Sequence, residues 1–196
     1  HIDLQTEDGR QALRRLIAEA DVFVQGYRPG GLDRWGFSAE EVARIRPGIV
    51  YVSLSAYGHV GPWSMRRGFD SLIQTASGLN WAEAEANGRD GPMALPCQAL
   101  DHASGYFMAA AAMAALARRA REGGSWHIRV ALARTGRWLQ GLGRVENGFD
   151  IADPGDEDVR DLLEDSPSGY GTLTAIRHAA RLSETPAHWT RPSMPL

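Results

Sequence analysis

One alternation, repeated twice at the start of the chain, restricts its fold more than any other feature. Residues 7–20 place Leu13, Leu16, Ile17 and Ala20 at helical spacing behind Thr6, which predicts a capped amphipathic helix. Asp21 to Gln25 follows with a short apolar run, Val22-Phe23-Val24, the pattern of a buried strand. Tyr27-Arg28-Pro29-Gly30-Gly31 reads as a loop. Ser38-Ala39-Glu40-Glu41 is a capping box that opens a helix to about Arg46, and Pro47-Gly48 ends it. Residues 49–54 form a second strand. Helix, strand, helix, strand with short loops is the signature of an α/β domain, a parallel sheet covered by helices.

The middle of the chain is less regular. Residues 57–68 are rich in Gly, Pro and aromatics; 70–77 suit a short helix stopped by Gly78, and 83–96 read as a polar loop. The longest predicted helix runs from Asp101 to Glu122 and stops at Gly123-Gly124; a third strand is expected over 126–131, and a further helix over 134–142. Eight acidic residues then fall between Asp150 and Asp165, the composition of a solvated linker with a short helix near 157–164. One or two strands are expected within 172–182, and the Pro-rich tail from Pro186 is expected to be extended, its Trp189, Met194 and Leu196 covering a surface.

With 196 residues, 43% of them hydrophobic, the chain can bury a real core. It opens on His1 rather than Met, so native sequence is expected before it. No run is apolar enough to cross a membrane, and a net charge of −3 gives no general attraction to nucleic acid. The lone Cys97 cannot form an internal disulfide and fits a reducing, cytoplasmic compartment. All 21 basic residues are Arg, which suits phosphate and carboxylate binding and equally reflects base composition. The absence of Lys excludes a Schiff base and a Walker-type phosphate loop. The histidines show no zinc-ligand spacing, so no metal site is expected, and no Gly-x-Gly-x-x-Gly fingerprint is present.

Asp101 stands out at the start of the longest helix, where the helix dipole and backbone N–H groups favour an ionised carboxylate. Such a group serves as a nucleophile, and it serves as a plain helix cap; both readings stay open on the residues alone. Gly105, one turn on, leaves room for a ligand near the backbone.

Four segments in order carry a resemblance: ADVFVQGYRPGGLDRWG at 20–36, RPGIVYVSLSAYG at 46–58, RGFDSLIQTASG at 67–78 and LDHASG at 100–105. Together they resemble the family III CoA-transferases, also called the CaiB/BaiF family. The resemblance runs from residue 1 to about 140, and the segment from about 165 looks like the family's C-terminal end. It implies a Rossmann-like, mostly parallel sheet flanked by helices over 1–145, an acidic linker over 146–165, and a 166–196 segment returning to the large domain. The family's opening strand–helix and its smaller domain are expected to be missing. Asp101 matches the catalytic Asp that attacks an acyl-CoA thioester. Gly26, Tyr27, Arg28, Arg34, Arg67 and Asp70 fall at coenzyme A-binding positions. Gly26 stands where the family carries Asn, and Phe69 stands where the racemase branch carries its catalytic His. Coenzyme A thioesters are then substrates rather than permanently bound cofactors, and a small carboxylic acid is the acceptor. The family's interlocked dimers imply a homodimer here, or a partner chain that supplies the missing segments.

Overall fold

The computed structural model describes residues 1–188. The described residues divide into two compact units, one over 1–144 and one from 145 onward. The first holds α1 (Glu7–Glu19), β1 (Val22–Gln25), α2 (Ala39–Ile45), β2 (Val50–Ser55), α3 (Asp70–Ala76), α4 (Leu79–Ala86), α5 (Ala99–Glu122), β3 (Trp126–Ala131) and α6 (Leu132–Gly141). A 3-10 turn, Asp33–Trp35, precedes α2. The three strands form one parallel sheet in the order β1-β2-β3, with Val24, Val52 and Ile128 in register. The α/β class with a helix-flanked parallel sheet is thus the fold of this unit.

The caps act as the sequence indicates. Thr6 Oγ1 accepts the Gly9 N–H at 3.0 Å. Ser38 Oγ accepts the Glu41 N–H at 3.2 Å while Glu41 Oε2 accepts the Ser38 N–H at 3.0 Å, which closes the capping box.

Side-chain alternation along β2 divides the core in two. Val50 and Val52 meet α5 through Met108, Ala112, Ala115 and Leu116. Tyr51 faces the other way, into a cluster of Ile17 from α1, Leu32 and Phe37 from the loop after β1, Val42 from α2 and Ile49 just before β2. A third cluster, Ile73, Leu79, Leu100 and Leu132, ties α3, α4, α5 and α6 together.

Two expected element boundaries are corrected in this unit. Residues 83–86, read as loop, continue a helix that begins at Leu79. Gly78 does end α3, but at φ +79° it turns the chain directly into Leu79–Ala86, where Leu, three Ala and two Glu outweigh Asn80 and Trp81 as helix formers. The longest helix starts at Ala99, two residues earlier than expected, which moves Asp101 from the cap position into the first turn.

The second unit contains 3-10 turns at Gly148–Asp150 and Arg160–Leu162, α7 (Asp156–Val159), β4 (Leu163–Ser168) and β5 (Gly171–Ile176). β4 and β5 form an antiparallel hairpin, with Pro167 opposite Thr172. The helix expected to reach 164 stops at Val159, and the acidic stretch gives way to a strand at Leu163. Pro167 is tolerated because a two-stranded ribbon has free edges on both sides. The expectations placed on Trp189, Met194 and Leu196 lie outside the described residues. Among the described residues no helix is long and apolar enough to cross a membrane.

Candidate active site

Parallel strands bring the loops that follow them to one edge of the sheet. The 26–34 loop leaves β1 there, and residues 56–69 leave β2 there. Helix α5 packs on β2 and β3 and runs back toward the start of β3, so its N-terminus also lies at the carboxyl edge. In open α/β sheets this edge is where ligands bind.

The central feature is the buried carboxylate of Asp70, which the resemblance puts at a coenzyme A-binding position. Asp70 is 1% exposed. Its Oδ2 accepts the backbone N–H groups of Leu100 at 2.7 Å and Asp101 at 2.9 Å, and its Oδ1 accepts from Gln74 Nε2. Asp70 therefore caps α5 from the first turn of α3. Gln74, also buried, donates to the Cys97 carbonyl at 3.2 Å and accepts the Leu95 N–H at 3.0 Å. Together the two side chains hold the loop that delivers Asp101. Their sequence signal is a polar pair at i, i+4 on the helix face that also carries Ile73, where a core-facing helix would be apolar.

Asp101 itself is exposed on the first turn of α5, and its carboxylate accepts no hydrogen bond among the described residues. The expectation that backbone N–H groups would favour its ionised form is corrected, because Asp70 takes those groups. Partial burial, and then the Asp70 charge, push the Asp101 carboxyl above its ordinary value, with His102 opposing. Around Gly105 there is open space: a Cβ built there meets nothing within 4 Å.

The other predicted residues line the same edge. Gly26 also borders open space, and Tyr27 is 65% exposed, with its N–H held by Gln25 Oε1 at 2.7 Å. The Arg28 carbonyl accepts the Gly31 N–H at 2.8 Å, and a Cβ on Gly31 would come within 2.9 Å of that oxygen, so this turn requires glycine. Arg34 stacks on the Trp35 ring at 5.0 Å. Arg28, Arg34 and Arg67 are exposed, and none forms an ion pair among the described residues. Phe69 is 75% exposed beside Asp70. Among the described residues no three or more His, Cys, Asp or Glu side chains group as a metal site.

The model of CoA-transferase family III matches residues 1–157. An acetyl-coenzyme A transferase of Hypoxylon pulicicidum is 36% identical over 140 residues, 69% of this chain and 24% of that protein. A probable fatty acyl-CoA transferase of Mycobacterium tuberculosis, Rv3272, is 34% identical over 131 residues, 67% of this chain and 33% of that protein. A crystal structure of Rv3272 superposes with a TM-score of 0.66 at 33% identity, covering 72% of this chain and 39% of that one. The chain thus spans a quarter to a third of the length of the curated relatives it matches. With the family model covering 157 of 196 residues, the chain belongs to CoA-transferase family III.

Proposed function

We propose that this chain carries the nucleophile of a CoA-transferase, and that Asp101 is the carboxylate that receives the acyl group. In the first step an Asp101 oxygen attacks the thioester carbonyl carbon; a C–O bond forms, the C–S bond breaks, and coenzyme A leaves as the thiolate with a mixed anhydride behind it. The thiolate then attacks the aspartyl carbonyl, releasing the donor acid and leaving Asp101 as a thioester. The acceptor carboxylate attacks the aspartyl thioester, forming a second mixed anhydride and expelling the coenzyme A thiolate; the thiolate then attacks the acceptor's acyl carbonyl, and acyl-CoA departs with the Asp101 carboxylate restored.

The observation that carries this reading is the division of labour between two aspartates. Asp70 is buried and fully engaged in holding the α5 amides, so Asp101 is released from capping and faces solvent without a partner. A nucleophile needs a fixed backbone and an unencumbered oxygen, and this arrangement supplies both. Arg28, Arg34 and Arg67 are the groups for the phosphates of coenzyme A, and Gly26 and Gly105 leave the space along which its pantetheine arm approaches. Asp70 acts as a positioning residue.

The short span relative to its relatives favours a second reading, in which this chain is a non-catalytic portion or a subunit of a split enzyme. Phe69 argues against a racemase, since a phenyl ring cannot abstract a proton. Incubation with an acyl-CoA followed by hydroxylamine distinguishes the readings. Transfer through Asp101 gives a hydroxamate on that residue by mass spectrometry. No modification with any acyl-CoA supports the second.

A further inference from the structure

Helix α5 carries Asp101 in its first turn, so the direction in which that carboxylate faces follows the rotation of α5 about its own axis. Ten of the 24 residues of α5 are alanine, and such a helix offers its neighbours only shallow ridges to lock it in place. The Asp70 carboxylate holds the amides of Leu100 and Asp101. Those N–H groups lie roughly parallel to the helix axis, so this contact fixes the height of the first turn and constrains its rotation less.

One turn on, α5 makes a second polar contact inside the protein. Ser104 is 0% exposed, and Thr135 on α6 is 4% exposed. Their hydroxyl oxygens are 2.7 Å apart, and Thr135 Oγ1 also lies 3.3 Å from the Ala131 carbonyl. A carbonyl only accepts, so Thr135 donates to Ala131 and Ser104 donates to Thr135. This chain of bonds ties α5 to the last residue of β3. Helix α6 is itself anchored there. It starts at Leu132 with no intervening loop, and the Ala133 N–H donates to the carbonyl of Ala56, just past β2, at 2.9 Å. Gly136 brings α6 directly against Leu100: a Cβ built on that glycine would stand 3.5 and 3.6 Å from the two Leu100 methyl groups.

Two hydroxyls at this place call for a reason. Ser104 follows Leu100 by one turn and Thr135 follows Leu132 by one turn, and both leucines belong to the third core cluster. Burying a hydroxyl there costs free energy that an apolar side chain would not, and pairing does little more than offset it. What a hydrogen bond adds over apolar contact is direction. The Ser104 bond leaves α5 sideways, across the helix axis, and so resists the rotation that the Asp70 contact constrains least. Residues 101 and 104 stand about 60° apart around the axis, and a turn of α5 that broke the Ser104 bond would swing Asp101 with it.

We propose that Ser104 and Thr135 are positioning residues for Asp101, fixing α5 in rotation while Asp70 fixes it in height. Their role rests on the reading of Asp101 as the acyl acceptor, and both act through the helix, since both are buried.

Two measurements on the intact chain test this. In the first, Asp101 is labelled with acetyl-CoA and hydroxylamine over a range of acetyl-CoA concentrations. Thr135→Val and Ser104→Ala should each lower the saturating rate about tenfold or more and leave the half-saturating concentration unchanged, and Thr135→Ser should restore the rate. The double variant leaves neither hydroxyl unpaired, so its melting temperature should return toward that of the parent chain while its labelling stays slow. In the second, the Asp101 side chain is titrated by carboxyl-carbon NMR, which requires no reaction. Freed to turn toward solvent, the carboxyl should titrate closer to the ordinary aspartate value in Thr135→Val and Ser104→Ala than in the parent. Single or double variants labelled at the parent's rate overturn the proposal. If the parent is not labelled at all, the acyl-acceptor reading is what fails, and the titration decides the contact: a midpoint unchanged in both single variants overturns it, and a midpoint moved toward the ordinary value upholds it.

Discussion

The Asp70 carboxylate accepts the backbone N–H of Asp101 at 2.9 Å, although 31 positions separate the two along the chain. One aspartate thus fixes the peptide on which the other stands. It also places a buried negative charge near the Asp101 carboxyl and raises its affinity for a proton. The same contact joins α3 to α5 and so couples stability to the candidate nucleophile.

Asp70→Ala removes acceptors for two backbone N–H groups and for Gln74 inside the protein. Leaving these donors unsatisfied should destabilise the first unit by about 2–4 kcal/mol. Urea denaturation monitored by far-UV circular dichroism measures it. A loss under about 0.5 kcal/mol would mean that Asp70 is not the cap of α5 in solution.

Asp101→Asn should behave in the opposite way. The side chain is exposed and unpartnered, so stability near neutral pH should change by no more than about 0.5 kcal/mol, while hydroxamate formation is lost. The pH dependence has a definite sign. A carboxyl whose folded value is raised contributes stability that is fully present below its unfolded value and lost as pH rises through the folded one. The parent chain should therefore lose stability relative to Asp101→Asn as pH climbs above the ordinary carboxylate range, and paired thermal melts show this.

Gly105 separates folding from ligand approach. It lies inside α5, where glycine is less favourable than alanine, and a Cβ there meets nothing. Gly105→Ala should stabilise the chain by about 0.5–1 kcal/mol. If acyl-CoA uses that space, the same substitution should slow labelling of Asp101. Faster or unchanged labelling would place the ligand elsewhere.

His59 and His127 set a second pH dependence. Both are held below 6.5, the ordinary histidine value, by burial and then by the Arg129 charge. A depressed histidine contributes stability that is present above its unfolded value and lost as pH falls through the folded one. Stability should decline below pH 6.5, and replacing both residues by Gln should flatten that slope whatever it does to the plateau. An unaltered slope in the double variant would assign the decline to other groups.

The amino-acid sequence alone determined the elements whose causes are local. Capping by Thr6 and by the Ser38–Glu41 box, the helix and strand periods of the first 55 residues, and the parallel sheet they imply all follow from side chains within a turn or two of one another. The four family motifs also made Asp101 legible, as a position. Interactions between distant segments were decided only in the tertiary structure. Nothing near Asp70 announces that its carboxylate caps a helix about thirty residues on, and so nothing in the sequence decides between Asp101 as a cap and Asp101 as a nucleophile. Nothing near Ser53 announces His127, 74 positions away, because strand register alone brings them to one face. Period and capping are short-range properties of the chain; a buried charge finds its partners, and side chains from distant strands come to share a face, only when packing brings distant backbone together.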